Sequence, residues 1–258
     1  MLTINPTPYK GVNEILLFLL KAAKEILKDQ FVGMYLYGSL SSGDFDPNSS
    51  DIDFLVVTKD IIPEKMISEL EIMHNHIWKT GSKWASKLEG SYVHRELIRC
   101  HDPDGAPCPT INEGKFYLDK RGSDWIIQRH VIRECGIILD GPDPKTLIEY
   151  VTPDDIRDAV RGILSEWWFP MLKNPTWLKE HNSHYRGFAV ITMCRALHAL
   201  KHGIIISKPK AVQWARKKVN SLNQDLIDRS VATSQHKDVN ISLEETLGFI
   251  HFIMEQIQ

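Results

Sequence analysis

Two aspartates at alternate positions, Asp51 and Asp53, open an apolar run that continues to Val57. Alternate side chains of a β-strand share a face, so both carboxylates point the same way while Ile52 points into the other layer. Two carboxylates at the mouth of a strand make a hard-oxygen site suited to Mg²⁺, which accepts few protein ligands and shares phosphates. The spacing therefore predicts a magnesium site that also receives a polyphosphate.

A glycine and a serine, Gly38 and Ser39, end the preceding apolar run of residues 31–37. Because glycine has no β-carbon, it lets the backbone come close to a bound polyphosphate. The serine adds a hydroxyl group and a backbone amide donor beside it. We therefore expect the turn after the first strand to hold nucleotide phosphates.

A third acid, Glu89, lies near the start of a predicted strand over residues 88–93. A single glutamate at a strand edge is ordinarily solvated, and this interpretation stays open from the residues alone. If the strand neighbours that of Asp53, however, Glu89 faces the same crevice. It could then accept a proton from an attacking hydroxyl group held near the metal-bound phosphate, or act as a further metal ligand.

Other side chains that could bind a metal are better explained as structural. His74 and His76 lie two residues apart on a predicted helix, so they do not share a face and are expected at the surface or partly packed. Cys100, His101 and Cys108 lack the second ligand pair of a zinc site. Two structural thiols and a surface histidine are the expected outcome.

The elements that must position these residues divide the chain in two. The expected fold class is α+β, with an N-terminal mixed sheet and helices over residues 1–150 and an all-helical domain over residues 151–258. Pro142 and Pro144 mark the boundary, and Thr152 opens a strong helix start. The elements predicted before the boundary are helices at 11–29, 63–78 and 123–136, strands at 31–37, 52–57, 88–93 and 115–118, a loop over 99–114 and an apolar piece at 137–142.

Composition limits the classes of function. The 258 residues are 43% hydrophobic and 25% charged, as is ordinary for a globular protein with a core in each of two domains. A net charge of −2 gives no general attraction to nucleic acid or to an anionic membrane. No signal peptide or membrane-spanning run is visible, and the four cysteines show no CxxC spacing. We expect a cytoplasmic monomer with reduced thiols, without a membrane or nucleic-acid partner.

Two basic side chains of the helical domain could neutralise phosphate. Arg195 lies in the middle of a predicted helix among apolar residues, so it is either half-buried and paired or directed at a cleft. Lys208 lies at the start of the next predicted helix, where a helix amino terminus and a lysine together suit a triphosphate. The alternative is a solvated basic face.

At this point the motifs resemble a known family. Gly38-Ser39 followed by Asp51-Ile52-Asp53 is similar to the nucleotidyltransferase signature of the polymerase-β-like superfamily. The Leu88-Glu89 pair, the IILDGPDP stretch at 137–144 and the CRALHALKHGIIISKPKAVQWA stretch at 194–215 resemble, in order and spacing, the aminoglycoside (3'')(9) adenylyltransferases. These are the streptomycin and spectinomycin resistance enzymes, and the resemblance covers most of residues 31–220.

The resemblance implies a polymerase-β-like nucleotidyltransferase domain with a helical domain that caps substrate and nucleotide. It implies attack of a substrate hydroxyl group on the α-phosphorus of ATP, with transfer of AMP and release of pyrophosphate. It also implies a role for each motif residue: Asp51, Asp53 and Glu89 as Mg²⁺ ligands, Glu89 as the catalytic base, and Gly38, Ser39, Arg195 and Lys208 as nucleotide contacts.

The sequence departs from the family in two places, of which the second concerns the acceptor. The loop between Ser39 and Asp51 is about two residues longer than the usual form of the family. Its length matters because the reaction depends on how the reacting groups are positioned. The segment 170–187, which would line the antibiotic pocket, carries a single acid, Glu180. An aminoglycoside is a polycation, so carboxylates are expected around it, although tryptophans such as Trp177 could stack on a sugar ring.

Three hypotheses follow for function. The first is an adenylyltransferase that acts on an aminoglycoside of the streptomycin or spectinomycin type. The second keeps the chemistry but changes the acceptor to another small molecule, a protein or an RNA end. For a protein or RNA acceptor, the comparison is with antitoxin-type nucleotidyltransferases, which are usually minimal domains, and the full helical domain argues against that type. The third is a nucleotide-binding module without turnover, which has no physical need for three aligned acids.

Overall fold

A computed structural model describes residues 5–235 and 237–256 of the chain. By its internal contacts the chain divides into an N-terminal unit, Met1–Tyr150, and a C-terminal unit, Val151–Gln258. The first contains a six-stranded mixed sheet with helices, and the described part of the second is helical. The predicted α+β class is therefore confirmed.

The N-terminal unit alternates helices with strands for most of its length. Its strands are β1 (Phe31–Leu36), β2 (Ile52–Thr58), β3 (Leu88–His94), β4 (Cys108–Asn112), β5 (Lys115–Asp119) and β6 (Ile137–Asp140). Its helices are α1 (Lys10–Leu27), α2 (Gly38–Ser42), α3 (Glu64–Lys79), α4 (Arg95–Arg99), α5 (Asp124–Cys135) and α6 (Pro144–Leu147).

The sheet places β2 and β3 at its centre. The strand order is β5-β4-β3-β2-β1-β6, and β2 and β3 are parallel while the other neighbours are antiparallel. The parallel pair requires a crossover, which α3 supplies. Alternate residues of β2 enter two different cores: Phe54 and Val56 pack on one face and Leu55 and Val57 on the other. This is the arrangement that a continuous apolar strand favours.

Helix α1 covers the sheet face that lies behind the predicted site. Its apolar residues recur at helical spacing, and Leu16, Leu19 and Leu20 are almost fully buried with Phe54 in the same core. At about 25 cal/mol per Å², burial of one such side chain contributes on the order of 2 kcal/mol. The opposite face, with Leu55, is left to α5 and to the site.

His74 corrects an expectation. It is 3% exposed, rather than at the surface, and its Nε2 lies 2.8 Å from the hydroxyl group of Tyr92. Burial lowers the pKa of His74 to about 3, so the imidazole is neutral in the folded protein. The neighbouring His76 is exposed. A polar side chain is tolerated here because Tyr92 satisfies its ring nitrogen.

Strand β4 falls within a segment that was expected to be a loop. Pro107 and Pro109 suggest turns, but the backbone pairs with β3 on one side and with β5 on the other. Pairing with two neighbours outweighs the weak local β-propensity. Cys108 is consequently buried at 4% exposure, which agrees with a structural thiol.

The C-terminal unit is built around one long helix, α9. Thr152 caps α7 through a reciprocal capping box with Asp155, as its sequence predicts. A π-helical turn at Leu164–Trp168 extends α7. The helices are α7 (Pro153–Ile163), α8 (Thr176–Glu180), α9 (Ser183–His202), α10 (Lys208–Arg216), α11 (Ser221–Ser234) and α12 (Leu243–Glu255).

Two further observations complete the fold. All four cysteines are free thiols, with Cys108 and Cys194 buried. Among the helices of residues 5–235 and 237–256, none is both long and apolar enough to cross a bilayer.

Candidate active site

Asp53 and Glu89 lie beside each other on neighbouring strands. In the register of the parallel pair, Ile52 is opposite Leu88 and Asp53 is opposite Glu89. The strands of Asp53 and Glu89 are therefore neighbours, which is the condition for the two side chains to face one crevice. Both acids are partly buried, and the exposed Asp51 directly precedes β2. Because equivalent positions of parallel strands face the same side, the carboxylates of Asp53 and Glu89 share one face of the sheet.

Gly38 packs directly against the carboxylate of Asp53. It begins the short helix α2, where the sequence predicts a turn and loop, and its φ of +63° lies in the left-handed region. A β-carbon at this position would overlap Oδ2 of Asp53. The backbone N–H of Tyr37 donates to the carbonyl of Asp53 at 3.1 Å, which ties the end of β1 to β2. Ser39 follows as the second residue of α2 and is partly buried.

Replacing Gly38 with alanine is expected to displace the Asp53 carboxylate as well as to strain the backbone. Gly43 is a matched control because its φ is +78° and no atom lies within 4 Å of a β-carbon placed there. Both variants should lose about 1–2 kcal/mol of stability, measured by chemical denaturation. Only Gly38→Ala should also lose nucleotidyl transfer, by about 100-fold, because a small misplacement of a reacting group is costly. If the two variants were equally active, the contact between Gly38 and Asp53 would not be needed for activity.

Tyr37 belongs to this face, although sequence reasoning did not single it out. Burial and, after it, the charges of Asp53 and Glu89 hold the pKa of its phenol well above the usual range, whereas Arg121 acts in the opposite direction. The phenol is therefore protonated at neutral pH and can donate a hydrogen bond at the site. Its one sequence signal is its position immediately before Gly38.

The donor set fits a hard divalent cation. Asp51 and Asp53 supply carboxylate oxygens at the mouth of β2, and the missing β-carbon of Gly38 lets Oδ2 of Asp53 take up its position against the backbone there. Within the part of the chain that the structure describes, no three His, Cys, Asp or Glu side chains form a ready-made metal-binding group. Mg²⁺ suits such a site because it is commonly held by one or two carboxylates together with substrate phosphates.

Of the two basic residues expected at the nucleotide, Arg195 bonds to the segment before α10 and Lys208 begins that helix. The Nε of Arg195, in α9, donates to the carbonyl of Ile206 at 3.3 Å. Lys208 is the first residue of α10, and its Nζ lies 5.1 Å from the ring centre of Phe188. Within the C-terminal unit, these contacts fix the start of α10 against α9.

Aromatic side chains cluster in the segment expected to meet the acceptor. The rings of Trp177 and His181 stack with their centres 4.2 Å apart, and Tyr185 meets His181 edge-on at 4.6 Å. Trp167 lies 5.8 Å from Trp177 and is 49% exposed. The cluster offers exposed ring faces and edges for stacking.

Arg186 has a structural role in the same segment. Its Nε donates to the carbonyl of Leu178 at 3.1 Å, and its Nη1 donates to the carbonyl of Ile241 at 3.2 Å. The guanidinium therefore ties α8 to the segment before α12. Lys173, Lys179 and Glu180 remain as exposed charged side chains.

Two family models match successive parts of the chain. The first, described as a nucleotidyltransferase domain, matches residues 20–93, which include β1, β2 and β3 with Gly38, Asp53 and Glu89. The second, described as the C-terminal domain of aminoglycoside adenylyltransferase, matches residues 146–254.

Individual relatives agree with these matches. The chain is 26% identical over 215 residues to spectinomycin 9-adenylyltransferase of Staphylococcus aureus strains Mu50 and N315, covering 76% of this chain and 75% of the relative. A crystal structure of spectinomycin adenyltransferase AAD(9) from Enterococcus faecialis with ATP and spectinomycin shares the fold, with a TM-score of 0.72, 18% identity, and coverage of 95% of this chain and 98% of that one. The chain therefore combines a nucleotidyltransferase domain with an aminoglycoside adenylyltransferase C-terminal domain, and it is an enzyme of the nucleotidyltransferase class.

Proposed function

We propose that this protein transfers AMP from ATP to a hydroxyl group of an aminoglycoside-type antibiotic, of the spectinomycin or streptomycin kind, and releases pyrophosphate. The observation that carries the proposal is the register of β2 and β3, which sets Asp53 beside Glu89 with Gly38 against Asp53. The names of the relatives support the acceptor class.

The donor half of the reaction is assigned to β1, β2 and α2. The backbone at Gly38 and Ser39 would receive the phosphates of ATP, because a glycine with positive φ lets them approach its amides. Asp51 and Asp53 would hold Mg²⁺ together with those phosphates, and Glu89 is a candidate for a further ligand. When bound, the metal would neutralise phosphate charge and orient the phosphates.

Glu89 is assigned the role of general base. Its carboxylate would accept the proton of the acceptor hydroxyl as the oxygen bonds to the α-phosphorus. The bond from that phosphorus to the pyrophosphate oxygen breaks in line with the attack, so the products are the adenylylated acceptor and pyrophosphate. The position of Glu89 opposite Asp53 supports this role, since base and phosphate must lie within reach of the same hydroxyl group.

Arg195 and Lys208 are assigned to the nucleotide by the pattern of the family. Both are cations of the C-terminal unit: Arg195, in α9, bonds to the segment before α10, and Lys208 is the first residue of α10. Cations of this kind neutralise phosphate charge. Arg195 presents a planar guanidinium, while Lys208 presents a point charge.

The acceptor is assigned to the aromatic cluster of Trp167, Trp177, His181 and Tyr185. Exposed aromatic rings can cover the apolar faces of a sugar, and this contact does not require a charged side chain. Since segment 170–187 has one acid, Glu180, we expect spectinomycin to be preferred over streptomycin, whose guanidinium groups call for carboxylate partners.

Pyrophosphate release tests the proposal directly. Purified protein with ATP and Mg²⁺ should release pyrophosphate when spectinomycin or streptomycin is added, and mass spectrometry should find the antibiotic heavier by one AMP. A reaction without antibiotic is the control for ATP hydrolysis. If no adduct forms with any member of a broad aminoglycoside panel, the proposed acceptor class is wrong. An adduct on a protein or an RNA would identify a different acceptor.

A further inference from the structure

Arg121 is a buried cation on the sheet face that carries Asp53 and Glu89. Its side chain is 8% exposed, and its guanidinium carbon lies 5.7 Å from the ring centre of the buried Trp125. A carboxylate oxygen of Asp119 lies 3.8 Å from Nη2 of Arg121, and the Asp119 side chain is half exposed. A charge this deeply buried is costly unless other charges compensate it.

A short series of contacts relates Arg121 to the strand of Glu89. Nη2 of Arg121 donates to Oγ1 of Thr110 in β4. Thr110 is the register partner of Ser91 in β3, and their hydroxyl oxygens lie 3.2 Å apart. Ser91 is two residues after Glu89 and therefore faces the same side of the sheet. The guanidinium thus lies over β4, on the face and beside the strand of the proposed base.

One nitrogen of the Arg121 guanidinium is not satisfied by a hydrogen bond: its Nε is buried without a partner. Thr110, Asp119 and the thiol of Cys108 engage only part of the guanidinium, which contributes positive charge to the acidic face.

Two carboxylates at directly opposed positions of adjacent strands repel each other. We propose that Arg121 is a positioning residue of the site: its fixed positive charge offsets the repulsion between Asp53 and Glu89 and keeps both carboxylates in place when no divalent cation is bound. The proposal rests on the magnesium site of the proposed function. Arg121 and Mg²⁺ then act on the same pair of carboxylates, so each reduces the effect of the other.

The test is a thermal unfolding titration with MgCl₂ alone. Arg121→Met keeps an unbranched apolar side chain against Trp125 but removes the charge. Without Mg²⁺, we expect this variant to unfold at a lower temperature than the unsubstituted protein. Mg²⁺ should then raise its unfolding temperature by more, and half of that rise should be reached at an about threefold lower Mg²⁺ concentration. Lys120→Met is the matched control, since Lys120 is exposed and its loss changes the net charge equally.

Further variants separate charge from hydrogen bonding and from folding. Arg121→Lys keeps the charge, so its Mg²⁺ response should stay close to that of the unsubstituted protein. If it follows Arg121→Met instead, or if Arg121→Met responds to Mg²⁺ like Lys120→Met, the proposal is overturned while the metal site stands. In the Asp53→Asn background, Arg121→Met should cost less stability, because one of the opposed charges is already gone. If Mg²⁺ stabilises none of these proteins, the metal site and the role of Arg121 both fall.

Discussion

Asp53→Asn is expected to abolish magnesium-dependent ATP binding and to lower kcat/KM on the order of 10³-fold, about 4 kcal/mol of transition-state stabilisation. Asparagine has the shape of aspartate, so the space against Gly38 stays filled and the fold should persist. What is lost is the negative charge that makes the oxygen a ligand for a hard cation. Binding of a non-hydrolysable ATP analogue, measured by calorimetry with and without Mg²⁺, gives the first readout.

The control for this variant is Asp44→Asn. Asp44 is exposed in the loop after α2, so the substitution removes the same charge away from the β2 strand mouth. It should leave both ATP binding and turnover within about twofold of the unsubstituted protein, as for surface changes of about ±0.5 kcal/mol. Tight magnesium-dependent binding by Asp53→Asn would contradict the proposed metal site.

The second large effect is expected for Glu89→Gln, which should retain ATP binding but lose transfer by about 10²–10⁴-fold. Glutamine keeps the size and the position opposite Asp53 on β3, yet it accepts no proton at neutral pH. Rapid-quench measurement of AMP transfer, next to ATP affinity, separates the chemical step from binding.

Glu71→Gln on the exposed surface of α3 is the matched control and should transfer AMP normally. If Glu89 also holds the metal, ATP affinity falls together with transfer, and raising Mg²⁺ restores part of both. If turnover is unchanged in Glu89→Gln, Glu89 is not the base, and another acceptor for the hydroxyl proton must be sought on the same face.

Much of the catalytic face was predictable because its information is local. The alternation at Asp51 and Asp53 and the glycine after β1 are visible in the sequence, and strand geometry turns alternation into a shared face. Glu89 required one further fact, that β3 pairs with β2. That pairing depends on the α3 crossover, which the order of strand, helix and strand favours.

Other residues were beyond local reasoning. The sequence predicts a loop over residues 99–114, and only pairing with β3 and β5 makes part of that segment the strand β4. His74 was expected near the surface, and its burial depends on the hydroxyl group of Tyr92 from another element. Arg121 follows β5 in a polar stretch, where nothing in its sequence neighbourhood indicates burial.

The sequence by itself determined the reactive groups of this protein: a glycine and a serine after the first strand, two aspartates opening the second and a glutamate in the third. The sequence also predicts that the two aspartates share one face of the sheet, because side-chain alternation along a strand depends only on neighbouring residues. The tertiary structure alone decided that Glu89 lies opposite Asp53, that Gly38 packs on that carboxylate, and that Arg121 is buried on the same side. These contacts join residues far apart in the chain, and electrostatic and packing energies depend on distance in space rather than along the sequence.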